Sequence, residues 1–280
     1  MLRSLNSGVS GLQQFQQKLD VIGNNISNSN TLGYKTARAD FEDSFSQAMQ
    51  TPSNSAGIQI GTGVTTGAVR SMFQQGTISR TGLDSDMAID GDGFFTVKDP
   101  RGGQEFVTRA GDFRLDSDGY LVSNTGMRLQ GFGDAGLAAR GDIKIDATGA
   151  PASATAGALV ARFSVDDVGK IKVKLSDGTE FVRGQVLLQR FQDPNALIKE
   201  GNNLFTVTAA SGPLGGATPQ SEAPGSNGLG TVRGGSLEQS NVDLANEFAS
   251  MIVTQRGFQA SARIITTSDE MLQELVNLKR

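Results

Sequence analysis

The sequence predicts an α+β protein: both termini form one discontinuous helical coiled-coil domain, and the middle forms an all-β domain, an antiparallel barrel or sandwich. The first observation is compositional, since all seven Pro and 31 of the 36 Gly lie between residues 52 and 235. The second is periodic, since both ends repeat apolar residues every seven positions, as a helix with one apolar face does. The third is that the middle alternates short apolar runs with turn residues, which is typical of strands and hairpins.

The first predicted helix lies in residues 1–30. Leu5, Leu12, Leu19 and Ile26 recur at every seventh position, and Val9 belongs to a neighbouring line with the same step. Residues spaced in this way share one face of a helix, so this face is predicted to pack against a partner.

The second predicted helix lies in residues 241–278, within a terminal segment 237–280. Its apolar positions step by seven from Leu237 through Leu244 to Leu272, and Phe248 lies on a neighbouring line. A repeat held this long predicts a coiled-coil seam, although an ordinary core-facing helix is the alternative. The predicted assembly interface of the two helices comprises Leu5, Val9, Leu12, Leu19, Ile26, Leu244, Phe248, Met251, Phe258, Ile265 and Leu272.

Both helices carry glycine at interior positions, namely Gly8, Gly11, Gly23 and Gly257. Each such glycine costs about 1 kcal/mol relative to alanine. Isolated helices are marginal even without this cost, so we expect both to depend on packing against each other and against neighbouring subunits. We therefore expect disordered ends in the purified monomer.

The central β domain is predicted over residues 71–209. The turn Asp116–Gly119 lies between two short apolar runs and predicts a hairpin. Ile171, Val173 and Leu175 alternate with lysines, which indicates a strand with one buried face. The candidate strands are 93–98, 105–109, 113–115, 120–122, 127–132, 171–175, 181–182, 186–191 and 204–207.

Three further stretches separate these parts. Residues 31–70 are expected to connect the first helix to the β domain. Residues 210–236 are rich in Gly, Pro and Ser and predict a linker with little packed structure. A low-complexity stretch at 146–158 predicts a loop at a point where a larger domain could be inserted.

Composition excludes several functional classes. The chain contains no His, Cys or Trp, so it has no histidine-based nucleophile system, no disulfide and no zinc finger. The net charge of −4 argues against a nucleic-acid binder. No apolar run approaches the roughly 20 residues of a membrane-spanning helix, and the amino terminus lacks the apolar core of a cleavable signal peptide.

The candidate ligand sites are weak. An EF-hand loop needs Glu at its twelfth position, but counting from Asp84, Asp90 and Asp116 places Phe95, Arg101 and Met127 there. The run Gly61–Gly67 has neither dinucleotide-loop nor phosphate-loop spacing. We therefore predict no catalytic residue, no cofactor and no metal site. An enzyme with a carboxylate pair on the β domain and a secreted β-rich adhesin are the open alternatives.

Several long motifs carry a resemblance to a known family. LDVIGNNISNSNTLGYK (19–35), the opening MLRSLNSGVSGL, and the blocks at 237–244, 252–258 and 266–275 resemble the bacterial flagellar axial proteins of the rod and hook family. MAIDGDGFF (87–95) and TRAGDF (108–113) are similar to the central β blocks of that family. The positions that match its signature are Gly23, Asn24, Asn25, Asn28, Gly33, Gln239, Ser240, Asn241, Gln255 and Arg256.

The resemblance implies a structural subunit of the flagellum that self-assembles into a hollow helical tube. The opening and closing residues look most like the hook, a flexible joint that transmits torque from motor to filament, and the distal rod, or drive shaft, is the alternative. Hook proteins commonly carry an additional outer domain that this chain lacks.

The implied partners are copies of this chain, neighbouring rod and hook–filament junction proteins, the hook cap and the flagellar export apparatus. Nucleic acid and membrane insertion are not implied. The implied location is the hook or basal body, reached by export without a cleaved signal.

Overall fold

The structure, a computed structural model, describes residues 2–44, 46–48, 59–134, 136–137, 139–152, 154–155, 157–212 and 221–278, with only the backbone at 2–3, 46–48 and 59–60. The chain forms two compact units. Unit 1 comprises residues 1–29, 35–72 and 242–280, and unit 2 comprises residues 30–34 and 73–241. None of the described helices has the length and apolar character needed to cross a membrane.

The described part of unit 1 contains the two terminal helices and four strands. The helices are α1 (Leu2–Ser27) and α2 (Leu244–Asn277), and the strands are β1 (Ala37–Asp43), β2 (Ser46–Ala48), β3 (Gln59–Gly61) and β4 (Val64–Ser71). β1 pairs antiparallel with β4, with a bulge between Asp40 and Phe41, and β2 pairs with β3.

The segment 31–70 is therefore more than the connection expected from the sequence. Its two longer strands are held by a ladder that runs from Ala37 opposite Ser71 to Asp43 opposite Val64. Alternate residues of β4 are half-buried, which is the pattern of a strand with one face against a neighbour. Residues 45 and 49–58 lie outside the described part of this segment.

Unit 2 contains the remaining strands. Those before residue 143 are β5 (Ile78–Arg80), β6 (Met87–Asp90), β7 (Phe94–Lys98), β8 (Glu105–Thr108), β9 (Arg114–Leu115), β10 (Leu121–Val122), β11 (Arg128–Phe132) and β12 (Arg140–Asp142). Those after it are β13 (Val160–Val165), β14 (Lys170–Leu175), β15 (Glu180–Val186), β16 (Leu188–Gln189), β17 (Ile198–Gly201), β18 (Leu204–Thr206), β19 (Thr231–Gly234) and β20 (Ser236–Glu238). Two short 3₁₀ turns, Pro194–Ala196 and Ala209–Ser211, lie on either side of β17 and β18.

A twelve-stranded antiparallel sheet dominates unit 2. Its main path runs β13-β14-β15-β11-β7-β8-β18-β17, with β9, β10, β12 and β16 attached beside it. Among the described strands, β13 and β17 do not pair with each other, so the sheet is open and the expected barrel is not closed. The pairs β6–β19 and β5–β20 form separate two-stranded sheets.

Large apolar side chains fill the core of unit 2. Met87, Phe95, Leu129, Ile171 and Leu188 have no exposed surface. The hairpin predicted at Asp116–Gly119 is present, because Gly119 adopts a φ of 86° and its N–H donates to the Asp116 carbonyl at 2.9 Å.

The region 210–236 was expected to be a linker, but its later half contains a paired strand. Residues 213–220 lie outside the described part of the chain. Residues 231–234 form β19, which runs antiparallel to β6, and Val232 is fully buried there. Glycines at 225, 228, 230, 234 and 235 gave this region the composition of a linker, but three of them adopt positive φ in turns that return the chain to the sheet.

Candidate assembly surface

The terminal helices pair antiparallel within unit 1. Asn25 of α1 lies beside Glu247 of α2, and Gly8 lies beside Ile265, so the partner number rises along α2 as the number falls along α1. Close approach is possible because of glycine: a methyl group added at Gly257 would lie 2.6 Å from the Phe15 ring. The helix pair predicted from the two heptad patterns is therefore present within one chain.

The contact line of α2 consists of small hydroxyl residues. Thr254, Ser261 and Ser268 are 1%, 9% and 3% exposed, and they are the buried residues of this helix. The central one, Ser261, faces glycine on α1, since a methyl group added at Gly11 would lie 3.2 Å from the Ser261 Oγ. Sequence analysis missed this line, although its seven-residue step is visible in the sequence.

The hydroxyls of Thr254 and Ser268 are satisfied inside their own helix. The Thr254 Oγ1 donates to the Ser250 carbonyl at 2.7 Å, and the Ser268 Oγ donates to the Ile264 carbonyl at 2.7 Å. A hydroxyl has one proton to donate, so neither group has a donor left for α1. These two hydroxyls therefore keep a hydrogen bond when they are buried, but as donors they do not hold the two helices together.

The predicted apolar positions divide into two sets. A half-buried set flanks the contact line and comprises Leu5, Leu12, Leu19 and Ile26 on α1 with Met251, Phe258, Ile265 and Leu272 on α2. An exposed set comprises Val9, Leu244 and Phe248. The second set has no partner surface that covers it within the described part of unit 1.

α2 exposes further large apolar side chains that were not predicted as interface. Ile252 and Val253 are 59% and 69% exposed near its start. Near its end, Ile264, Met271 and Leu275 are about half exposed. These last three are separated by seven and four residues and so lie on one helix face, distinct from the hydroxyl line. A contiguous apolar surface of this kind marks an interaction site in a soluble protein.

The last turns of α2 extend beyond α1. Because Gly8 lies beside Ile265 in an antiparallel pair, the first residue of α1 lies opposite a position near residue 270. α2 continues to Asn277, and Val276 and Leu278 are largely exposed there. Among the described elements of unit 1, no helix covers the apolar surface at this end of α2.

Asn25, a signature residue, joins three elements of unit 1. Its Oδ1 accepts from the Ala37 N–H at 2.9 Å, and its Nδ2 donates to the Ala37 carbonyl at 2.8 Å and to the Glu247 Oε1 at 3.1 Å. The amide therefore pairs with β1 as a strand residue would, and also reaches α2. Asn25 is 1% exposed, so an apolar residue in its place would leave the Ala37 backbone groups unsatisfied.

The hairpin β1–β4 also rests on α1. The Thr66 hydroxyl bonds the side-chain oxygens of Gln14 and Gln17, and the Lys18 ammonium lies 6.0 Å from the centre of the Phe41 ring. Polar contacts thus dominate this side of α1.

Other signature residues of unit 1 are mostly exposed. Asn28 donates through Nδ2 to the Asn24 carbonyl at 2.9 Å, which satisfies a carbonyl at the end of α1. Gly23 is exposed, and nothing lies within 4 Å of a methyl group added there. Gln255 is exposed, and exposed Arg256 bonds the neighbouring Gln259 at 3.3 Å. Gly23, Gln255 and Arg256 are therefore not required for packing within the chain.

Four signature residues belong to unit 2. Gly33 has a φ of 65°, and a methyl group added there would lie 2.7 Å from the Ala110 backbone nitrogen, so only glycine fits. The Gln239 N–H donates to the Thr77 carbonyl, and the Asn241 side chain donates to the Gln74 carbonyl at 3.1 Å. Ser240 lies between them and is half-buried.

A buried ion pair stabilises the same part of unit 2. Arg109 and Glu238 are 3% and 0% exposed in their side chains, and the Arg109 Nη1 lies 3.5 Å from the Glu238 Oε2. The Glu238 Oε1 accepts from the Gly76 N–H at 2.9 Å, and the Glu238 carbonyl accepts from the Gly33 N–H at 2.9 Å. Burial lowers the pKa of Arg109, and the Glu238 carboxylate opposes this shift.

The start of α2 has the chemistry expected of a helix amino terminus. Asp243 is the capping residue, and its carboxylate accepts from the Ala245 and Asn246 N–H groups at 3.0 and 3.4 Å. Glu247 places a second negative charge in the first turn.

Unit 2 has a polar cleft of about 500 Å³. An enzyme of the kind left open by the sequence would need a pair of carboxylates in such a cleft. Asp112 is the one carboxylate among its lining residues, which otherwise include Asn124, Asn202 and Asn203. Burial raises the pKa of Asp112, its own backbone N–H opposes this shift, and the Asp86 carboxylate raises the pKa further. Within the described residues no cluster of three metal-ligating side chains occurs.

Three protein-family descriptions match successive parts of the chain. Residues 5–35 match "Flagella basal body rod protein", residues 88–173 match "Flagellar hook protein FlgE/F/G D1 domain", and residues 233–278 match "Flagellar basal body rod FlgEFG protein C-terminal". These matches include the signature blocks at both ends and the central β blocks, so the resemblance seen in the sequence is confirmed.

Whole-chain relatives have the same character. The flagellar basal-body rod protein FlgG of Bacillus subtilis is 42% identical over 287 residues, covering 100% of both chains. FlgG of Borreliella burgdorferi is 35% identical over 289 residues, with 100% of both chains covered. The flagellar hook protein FlgE of that organism is 28% identical over 448 residues, again covering 100% of both. The chain belongs to the flagellar rod and hook protein family, a family of structural axial proteins of the flagellum.

Proposed function

We propose that this chain is the distal rod subunit of the flagellar basal body and that it polymerises through α1 and α2. The observation that supports polymerisation is that α2 buries small polar side chains and exposes large apolar ones. Its contact with α1 is made of Thr254, Ser261 and Ser268, while Phe248, Ile252 and other large apolar residues are exposed. A helix that exposes large apolar side chains is incomplete in a monomer, because their burial supplies most of the stabilising free energy.

Chain length supports the rod over the hook. The rod relatives align over 287 and 289 residues against the 280 of this chain, which leaves little room for an insertion. The hook relative aligns over 448 residues, which requires a long insertion in that protein. The region expected to hold such an insertion here, 146–158, contains only turns in its described part. The rod thus replaces the hook as the preferred assignment.

The terminal helices would line the channel of a tube. In this arrangement the half-buried set and the exposed set together make a coiled-coil seam shared between copies. Gly23, Gln255 and Arg256, which are exposed in the single chain, would lie at contacts between copies.

Export and neighbouring partners follow from the same proposal. A chain with weak terminal helices is suited to passage through the flagellar export apparatus in unfolded form, without a cleaved signal. Neighbouring axial proteins would meet its ends, and contact with the hook cap or the hook–filament junction would arise only if the hook assignment held.

The test is deletion of the gene in its own bacterium, followed by electron microscopy of purified basal bodies. The rod assignment predicts incomplete rods without hooks, restored by the full chain. Complete rods that lack hooks would overturn it in favour of the hook. Normal rods and hooks would contradict any axial role.

A further inference from the structure

The two ends of the α1–α2 pair differ in shape. At one end, the last turns of α2 extend beyond the start of α1, and we call residues 270–278 the α2 overhang. At the other end, α1 finishes at Ser27 near the start of α2. A pocket of about 260 Å³, the terminal pocket, is lined there by residues of both helices and of β1. One end of the pair therefore projects, and the other offers a recess.

The terminal pocket has an apolar part that a side chain of a partner can fill. Val21 and Ile22 of α1 line it together with Met72, the residue after β4. Its volume is roughly eight times the volume that a water molecule takes in the liquid, about 30 Å³. An apolar recess of this size gains free energy when an apolar side chain replaces the water in it.

The α2 overhang presents apolar side chains of the kind that this pocket can take. Met271, Leu275 and Leu278 are 51%, 50% and 83% exposed. Successive members of this set are four and three residues apart, so all three lie on one face of the helix. Within the described part of unit 1 this face remains exposed.

The α2 overhang also carries negative charge. Residues 269–278 contain three carboxylates and neither Lys nor Arg, and Glu270 and Glu274 are exposed. Glu274 lies three residues after Met271 and four residues before Leu278, so it belongs to the apolar face. A surface that receives this face must therefore accept a carboxylate as well as apolar side chains.

The terminal pocket supplies cations for such a carboxylate. Lys18 and Arg38 line it, and the one carboxylate in its lining, Glu247, already accepts from the Asn25 Nδ2 at 3.1 Å. Arg38 pairs with Asp40 at 2.9 Å, yet its side chain stays 61% exposed, so it retains N–H donors for a second carboxylate. The pocket and the overhang are thus complementary in charge and in apolar character.

We infer that the α2 overhang of one copy docks into the terminal pocket of the next copy, so that successive helix pairs join head to tail. The two surfaces are different patches of the same chain, so the contact is heterologous and repeats into a ring or an open helical filament. The inference rests on the proposed polymerisation and deepens it, because it names the segment and the pocket that meet.

This contact cannot form within one chain. Glu247 at the pocket and Leu275 on the overhang belong to the same helix, so about 42 Å separate them at 1.5 Å per residue. A disulfide needs Cα atoms within about 7 Å of each other. A disulfide between the pocket and the overhang therefore reports a contact between copies.

The experiment introduces one cysteine at each surface of a chain that has none of its own. Ala39→Cys places a thiol in the lining of the pocket, and Leu275→Cys places one on the overhang. The bacterium carries the variant in place of the native gene, and its purified basal bodies are oxidised and separated on a non-reducing gel. We expect at least half of the chain in a ladder of dimers, trimers and higher multiples, since a chain with one cysteine cannot exceed a dimer.

The overhang contains a matched control. Gln273 is exposed and lies two residues from Leu275, which places it about 200° around the helix. The pair Ala39→Cys with Gln273→Cys should give at least fivefold less ladder. An equal ladder from the two pairs, or no ladder in basal bodies that contain the Leu275→Cys pair, would overturn the inference. An adduct with a different protein in place of the ladder would also overturn it, because the pocket would then take another partner.

A charge exchange gives a second measurement, and it decides the inference if the cysteine pair prevents rod formation. Glu270→Lys with Glu274→Lys should reduce the number of complete rods at least fivefold, because these lysines meet Lys18 and Arg38. Adding Lys18→Glu with Arg38→Glu in the same chain should restore the rods. Loss without restoration, or no loss, would contradict the docking.

The wild-type chain separates this inference from the proposed function. If the docking fails these tests while wild-type basal bodies contain the chain in complete rods, the proposed function stands with another contact between copies. If purified basal bodies contain no copy of the chain, the proposed function itself fails.

Discussion

The two units of this protein differ in the residues that their main contacts bury. Unit 2 encloses Phe95, Leu129 and Ile171 completely, and the edges of its sheet carry charged side chains. Unit 1 buries Thr254, Ser261 and Ser268 in its helix contact and exposes Phe248 and Ile252. The first arrangement is that of a domain that folds alone, and the second is that of half an interface.

This difference shows that apolar periodicity in a helix does not by itself identify the surface that covers its apolar residues. Both helices have clear heptad patterns, yet much of the apolar surface of α2 points away from α1. An apolar stripe on a helix shows that something must cover it, and the structure shows that α1 covers only part.

The largest expected effect tests whether the terminal helices form the interface between copies. Leu244→Asp together with Phe258→Asp places two charges on α2, and burying an unpaired charge is prohibitive. We expect no polymer by sedimentation or electron microscopy, with an unchanged thermal transition of unit 2. The control is Leu159→Asp with Val168→Asp, which places the same two charges at exposed positions of unit 2 and should assemble. Polymers from the α2 variant would show that the interface lies elsewhere.

The next effect tests the closed core of unit 2. Phe95→Ala should lower the free energy of unfolding of unit 2 by about 3–5 kcal/mol, because it removes a fully buried ring and leaves a cavity. Phe258→Ala should leave the same transition unchanged, since Phe258 belongs to unit 1. Chemical denaturation followed by circular dichroism separates the two outcomes, and equal destabilisation by both variants would contradict the division into units.

A slightly smaller effect concerns the buried ion pair of unit 2. Glu238→Gln leaves the Arg109 charge buried without its counter-ion and should cost about 3 kcal/mol in the free energy of unfolding. Asp84→Asn breaks the exposed Arg162–Asp84 pair and should cost less than about 1 kcal/mol. Similar losses in both variants would show that Arg109 is not sealed from water.

The smallest effect is a pH dependence at Asp112. Its pKa is raised in the folded chain above the ordinary value of 3.8, so the unfolded chain loses this proton first as pH rises. As pH rises above 3.8, ionisation of Asp112 therefore lowers the free energy of unfolding of unit 2. Asp112→Asn should raise the free energy of unfolding at neutral pH, and this gain should shrink as pH falls toward 3.8. A variant less stable than the wild type at neutral pH would reverse the sign.

Sequence patterns predicted the positions of helices and strands better than they predicted which side of each helix packs against its partner. The turn at Asp116–Gly119 and the alternation of Ile171, Val173 and Leu175 carry local information, so the strands beside them were placed to within two residues. The heptads placed both helices for the same reason. The hairpin β1–β4 was missed because it is held by a long-range ladder and by α1, which no short window of sequence reports.

The packing of the two helices within the chain was predicted only in part for a related reason. Leu244 and Phe258 were assigned to one seam, but the structure leaves Leu244 exposed and half-buries Phe258. Which residues face α1 depends on where glycine allows close approach, and Gly8 and Gly11 direct that approach to the Ser261 side of α2. Glycine was read as a weakness of the helices, whereas in the structure it also determines how they pack.

Hydrogen exchange of the same chain, as monomer and as polymer, tests the central claim most directly. The amides of α1 and α2 should exchange rapidly in the monomer and become protected in the polymer, while those of β7 and β11 should be equally protected in both. Terminal helices as well protected as β7 and β11 in a verified monomer would contradict the claim that neighbouring copies complete unit 1.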